Sequence, residues 1–338
     1  MIEVKSVAGK DLPHFDGPIS QPYGHSPPRR PGSVRRTSSI TATWPYGMDG
    51  DTEMRGTSRD FLTQSWGVGR TIAQDCILAV AAKRKIVALS CEPPRAGIGG
   101  LVGATAGGQL RAAIADALPD ELKRGTPLYL LLDDLAGATL VAGWSFSLWP
   151  QPERARPKPA RQMSGICIGF RPGSSALTSE GTSRPSQNIS LVVPLQHPGD
   201  PDGWHDMPDP GGLNFRRARR IDLWHGDDGL LQIDAGFQDS ANSPSGQRTA
   251  IHEYHVTATC DEAGRLLSIK ANPGTLPFAE CRAAPTNIDD LIGVPMSELR
   301  REVLLRLHKT FGCTHLNDTL RALAEVPVLA ASLERAGQ

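Results

Sequence analysis

The chain has 338 residues, 36 Lys and Arg against 36 Asp and Glu, 39% hydrophobic residues, 28 Pro and 35 Gly. That length suffices for two domains with cores of their own plus sizeable connectors, which excludes a single small module. Zero formal net charge removes the long-range field that draws basic proteins onto nucleic acid or an anionic membrane, so neither is an expected partner.

No window of about 18 continuous apolar residues is present and the start of the chain lacks a signal-type apolar stretch, so the expected location is cytoplasmic. The six cysteines, Cys76, Cys91, Cys167, Cys260, Cys281 and Cys313, show no CxxC pair. In such a chain they read as buried thiols, ligands or nucleophiles rather than a disulfide framework.

In chain order, residues 1–34 are rich in Pro, Gly, Ser and His and poor in apolar residues, which predicts a disordered arm. Residues 35–150 form a first block. Residues 151–214 are a long irregular connector, opening with Pro152, Pro157 and Pro159 among arginines and continuing Ser/Gly-rich. Residues 215–338 form a second block.

The two blocks resemble each other. Arg35-Arg36, Ile40 and Trp44 align with Arg216-Arg217, Ile221 and Trp224. Asp49-Gly50 aligns with Asp228-Gly229, and Arg59-Asp60 with Gln238-Asp239. β-Prone runs follow at 77–81 and 86–90 in the first block, and at 255–259 and 266–270 in the second. Amphipathic helices come next, at 110–118 and 298–308, and apolar helices close each block at 127–144 and 314–333. The preserved order predicts an internal duplication. Strands joined by short turns and followed by helices predict an α+β fold in two related copies, each an antiparallel sheet of two hairpins covered by C-terminal helices. The Arg216–Arg220 run, without interleaved aromatics, reads as a solvated face.

The richest stretch for chemistry is Gly312-Cys313-Thr314-His315-Leu316-Asn317-Asp318-Thr319-Leu320-Arg321. Thr314 can cap the last helix, placing Cys313 at a helix head where free N–H groups favour a thiolate. Asp318 and Arg321 continue the polar stripe from His315, suited to orienting the imidazole or binding an anionic substrate group. Two other segments can converge on it: His252-Glu253-Tyr254-His255, whose side chains alternate on a strand, and Cys281 in a following turn. Cys281, Cys313, His315 and His252 are of the right type and number for zinc or iron. The same region also permits a Cys313 nucleophile with His315 or His252 as base and Glu253 beside them. The first block offers Leu132-Asp133-Asp134-Leu135 where the second has Cys313-Thr314-His315, and no counterpart of His252-Glu253, so it reads as degenerate for this site.

Together, His252-Glu253-Tyr254, Leu276-Pro277 through Cys281, Leu291-Ile292-Gly293 and Gly312-Cys313-Thr314-His315-Leu316 resemble the bacterial domain-of-unknown-function family 2889, over about residues 215–333 and in its extended actinobacterial form. A looser likeness to iron–sulfur scaffold domains lies in the final helix headed by a Cys, but that family's intervening cysteines are absent here. The resemblance implies no reaction. The residues favour a metal- or thiol-dependent enzyme acting on a small molecule; the rival is a binding or scaffold protein in which the Cys/His residues pin the sheet to the helix.

Overall fold

A computed structural model describes residues 17–150, 162–186 and 188–336. The first block folds as a four-stranded meander, β1 (Ser33–Thr43), β2 (Thr52–Thr63), β3 (Gly69–Ala82) and β4 (Lys85–Glu92), followed by helices α1 (Leu110–Ala117), α2 (Pro119–Arg124) and α3 (Pro127–Val141). The connector supplies the short β5 (Ser190–Leu191). The second block repeats the order: β6 (Asn214–His225), β7 (Leu231–Asn242), β8 (Arg248–Cys260) and β9 (Leu266–Pro273), then α4 (Leu299–Arg306), α5 (Thr314–Ala322) and α6 (Val326–Ala336). The single closing helix expected over 314–333 is broken at Leu323–Glu325, where Glu325 turns inward to accept from Arg36 and Arg300.

The meanders do not form two sheets. β1 pairs antiparallel with β6 from Ser33↔Trp224 to Thr43↔Asn214, giving one nine-stranded sheet in the order β4-β3-β2-β1-β6-β7-β8-β5, with β9 also on β8. Both strands at this seam are buried along most of their length, so their pairing satisfies backbone groups that two separate sheets would leave open at their edges.

Alternation along β6 sorts its arginines between the faces. On the helix face, Arg219 donates to Asp134 of α3 at 2.6 and 3.1 Å, while Phe215 joins the apolar cluster under α3 and Ile221 and Leu223 join the one under α5 and α6. On the opposite face Arg216 donates to Thr41 at 3.0 Å and Arg220 pairs with Asp222 and Asp234. The predicted solvated face is therefore corrected: all four arginines are buried, because acids or backbone carbonyls meet them on both sides of the sheet.

Over its central strands, the face away from the helices is covered by the arm and connector. From residue 17 the segment expected to be disordered lies against the sheet: Ser20 bridges Thr275, Ser26 N–H donates to Leu195 O at 2.8 Å, and Arg29 grips Asp200. His205 of the connector sits between Thr37 Oγ1 (2.8 Å) and Ser39 Oγ (2.7 Å). Residues 1–16 of the arm and the Pro/Arg opening of the connector at 151–161 lie outside the described residues. Among the described residues, no helix is long and apolar enough to cross a membrane.

Candidate metal centre

Asp239 on β7 stands directly across from His252 on β8, and the register slips immediately afterwards, between Asp239 and Ser240. A bulge of this kind re-aims the side chains beside it. The third group arrives from above the sheet. Cys313 is the N-cap residue of α5, which puts His315 in the first helical turn over β7, tilted against Phe237.

The imidazoles of His252 and His315 stack at 3.5 Å between centroids, 16° from parallel. Asp239 Oδ2 lies 4.0 Å from His252 Nδ1 and 3.7 Å from His315 Nε2. These ligand atoms lie within 4.8 Å of one another, and among the described residues this is the one such convergence of three His, Cys, Asp or Glu. Asp239 is fully buried, while the histidine side chains keep 11% and 14% exposure. His252 Nδ1 is buried without a hydrogen-bond partner.

Arg217 holds Asp239 through Nε and Nη2, both at 2.9 Å. Gly137 of α3 makes room for this guanidinium, since a Cβ there would come within 1.9 Å of Arg217 Nη1. Burial, then the adjacent Arg217, pushes His315 down to about 3. Burial and the neighbouring His315 push His252 well below its ordinary value, with Asp239 opposing. Both rings are therefore neutral and carry lone pairs.

Of the residues expected from sequence, His252 and His315 come together and Cys313 lies beside them, its Sγ 3.8 Å from His315 Nδ1. The expected thiolate is corrected. Burial pushes the Cys313 thiol up, outweighing the hydroxyl of Tyr254 that donates to it at 3.2 Å and the helix-head N–H groups. Cys281 is corrected as a ligand of the His pair: the groups that converge there are Asp239, His252 and His315, and Cys281 is buried against Gly169, where a Cβ would fall 2.6 Å from its Sγ. Glu253 is corrected as a partner of Cys313, because strand alternation carries it to the opposite face, where Gln238 Nε2 donates to it at 2.9 Å.

Asp318 and Arg321 do not orient His315. Asp318 accepts from Arg111 (3.0 Å), Arg217 (3.3 Å) and Arg321 (3.4 Å), and Arg321 reaches across to Asp133 of α3 at 3.0 Å. They belong to an ion-pair web joining α5 to α3, and Arg321, 2% exposed, is not open to an anionic substrate.

Asp239 was the residue that sequence reasoning passed over, although its match with Asp60 was the available signal. Arg36 holds Asp60 as Arg217 holds Asp239, at 2.5 and 2.6 Å, and the register of β2 and β3 also slips just after Asp60. The residue facing Asp60 is Ala73, so the first half has the carboxylate and its arginine without the histidine.

Residues 215–329 match the model of the family described as "Protein of unknown function (DUF2889)". The match lies in the C-terminal part and is consistent with a DUF2889 domain there. All three converging groups, Asp239, His252 and His315, fall inside the matched residues, which run from β6 into α6. No curated protein and no solved structure matches the chain.

Proposed function

We propose that the DUF2889 domain is a metal-dependent enzyme module, in which Asp239, His252 and His315 hold a divalent transition-metal ion such as zinc or iron. The observation that carries this reading is the orphaned His252 Nδ1 facing the same Asp239 oxygen as His315 Nε2. A buried polar atom without a partner is costly, and a metal ion satisfies it. Two neutral imidazoles and one carboxylate suit zinc and non-haem iron(II), and leave coordination positions for a small-molecule substrate. Arg217 would fix the carboxylate as outer-shell groups do in such centres. The proposed partner is a small molecule, and the burial of the Arg216–Arg220 run supports the exclusion of nucleic acid. The matching Arg36–Asp60 and Arg217–Asp239 pairs, each followed by a register slip, support a duplication with the first copy degenerate.

The test is metal analysis of the purified full chain, as isolated and after loading with zinc or iron(II). The expected result is near one equivalent, lost in His315→Ala and Asp239→Asn and retained in Cys281→Ser. Protein that takes up neither metal overturns the reading. A scaffold reading rests on one specific observation, that Arg217 already compensates the Asp239 charge. It predicts that Asp239→Asn lowers stability in metal-free and metal-loaded buffers alike.

A further inference from the structure

A second feature lies on the opposite face of the same strands. Residues 23–27 of the arm lie over β6, β7 and β8 and border a half-open cavity of about 310 Å³, at the small end of the range of roughly 300–1,000 Å³ typical of ligand pockets. Its floor is made by small residues: Ala218 on β6 and Gly236 on β7. A Cβ on Gly236 would meet nothing closer than the Arg220 guanidinium at 3.7 Å, so the missing side chain opens space that packing does not require. Glycine in a strand interior is costly unless something approaches its backbone. The walls are largely aromatic and apolar, from Tyr23, Pro27, Leu195 and Trp204, and Tyr23 meets His255 edge to face at 5.6 Å.

The charges around this cavity pair off except for one. Arg29 is bound to Asp200, Arg35 to Asp222, and Arg220 to Asp222 and Asp234, and His255 also leans on Asp234 at 2.7 Å. Glu253, 1% exposed, receives only neutral donors: Gln238 Nε2 at 2.9 Å and the N–H groups of Tyr23 and Thr275 at 3.3 Å. A buried carboxylate without a cation is an unbalanced charge, and Glu253 Oε1 keeps a lone pair free.

We propose that this cavity is a binding site, separate from the Asp239–His252–His315 centre, for a small aromatic molecule bearing a protonated amine: the ring lies over Gly236 between Tyr23 and Trp204, and the ammonium group pairs with Glu253. Arm residues 23–27 form the roof, so the connector and arm serve ligand retention as well as covering the sheet.

The test titrates 2-phenylethylamine, 2-phenylethanol and phenylacetate into the full-length protein by calorimetry. The amine is expected to bind at least tenfold more tightly than the other two. Glu253→Gln should erase that preference, and Gly236→Leu, which fills the floor, should abolish binding while leaving metal content unchanged. If Gly236→Leu fails to fold, Gly236→Ala, whose added methyl makes only ordinary contacts, is expected to weaken the amine measurably, and Glu253→Gln decides the charge. The proposal is overturned if the amine does not bind, if it binds no better than phenylacetate, or if its affinity is unchanged in both Glu253→Gln and the Gly236 variant. Metal uptake at the other face is read independently, so either conclusion can fail without the other.

Discussion

His252 and His315 lie face to face with ring centroids 3.5 Å apart, and their in-plane lone pairs therefore run side by side rather than meeting at a point. For both to bind one ion the rings must fan apart. Addition of zinc to the metal-free protein is expected to shift the ring C–H resonances of both histidines, and of no other histidine, to a single new set in proton–carbon NMR spectra. Resonances unmoved by excess zinc would remove the metal centre.

Arg217 is expected to set metal affinity without touching the ion. Arg217→Lys keeps the charge but loses the two-pronged grip on Asp239. Loss of such outer-shell support typically costs about 10–100-fold in affinity, measurable by competition with a chromogenic chelator. An unchanged affinity would leave Arg217 with a structural role alone.

The Arg36–Asp60 pair has both side chains at least nine-tenths buried, and Arg36 also reaches Glu325 at 3.0 Å. Removing the arginine leaves Asp60 uncompensated, so Arg36→Ala is expected to cost about 3–5 kcal/mol in urea unfolding. Arg36→Met with Asp60→Leu should cost less than the single change, because Arg300 still holds Glu325. A double variant as unstable as the single would contradict the desolvation argument.

The buried imidazole of His205 gives stability a pH dependence. Burial, then the nearby Arg59, pushes it down to about 3, so between its unfolded value near 6.5 and that folded value the unfolded chain binds the extra proton. Its contribution is complete above about pH 6.5 and falls by roughly 1 kcal/mol per pH unit below it. His205→Gln is expected to be less stable at neutral pH but to show a shallower acid slope than wild type, by thermal melts across that range.

The cysteines provide a check on burial. Cys313 is 3% exposed and its thiol is raised, whereas Cys76 is only partly buried. Iodoacetamide in mildly alkaline buffer should label Cys76 well before Cys313, read by peptide mass mapping. Early labelling of Cys313 would restore the nucleophile reading.

Much of this fold was legible in the sequence because its periodicities are local. Turn-separated β-prone runs gave the antiparallel hairpins of each block, the aligned Asp49-Gly50 and Asp228-Gly229 pairs pointed to the repeat, and the alternation of His252, Glu253 and Tyr254 showed which residues share a face. The β1–β6 seam was not legible, because pairing partners nearly two hundred residues apart leave no spacing signal. The buried arginines misled for a related reason: a run of five positions with four Arg looks solvated until acids from both faces are in place. In the site, two histidines were visible by type, whereas Asp239 showed only as the repeat partner of Asp60, and its role came from its register opposite His252. Cys281 drew notice by residue type, and its seat beside Gly169 depends on a connector whose path the sequence does not encode locally.

The seam between β1 and β6 has a practical consequence for dissecting the molecule. A fragment starting at residue 215 would keep every proposed metal ligand, yet it would expose β6 as an unpaired edge along the whole length that β1 now occupies. Because β1 already runs antiparallel to β6, a second copy of β6 can take its place across a two-fold axis. Such a fragment is therefore a natural dimer former, and its assembly state would record the vacancy left by its own first half.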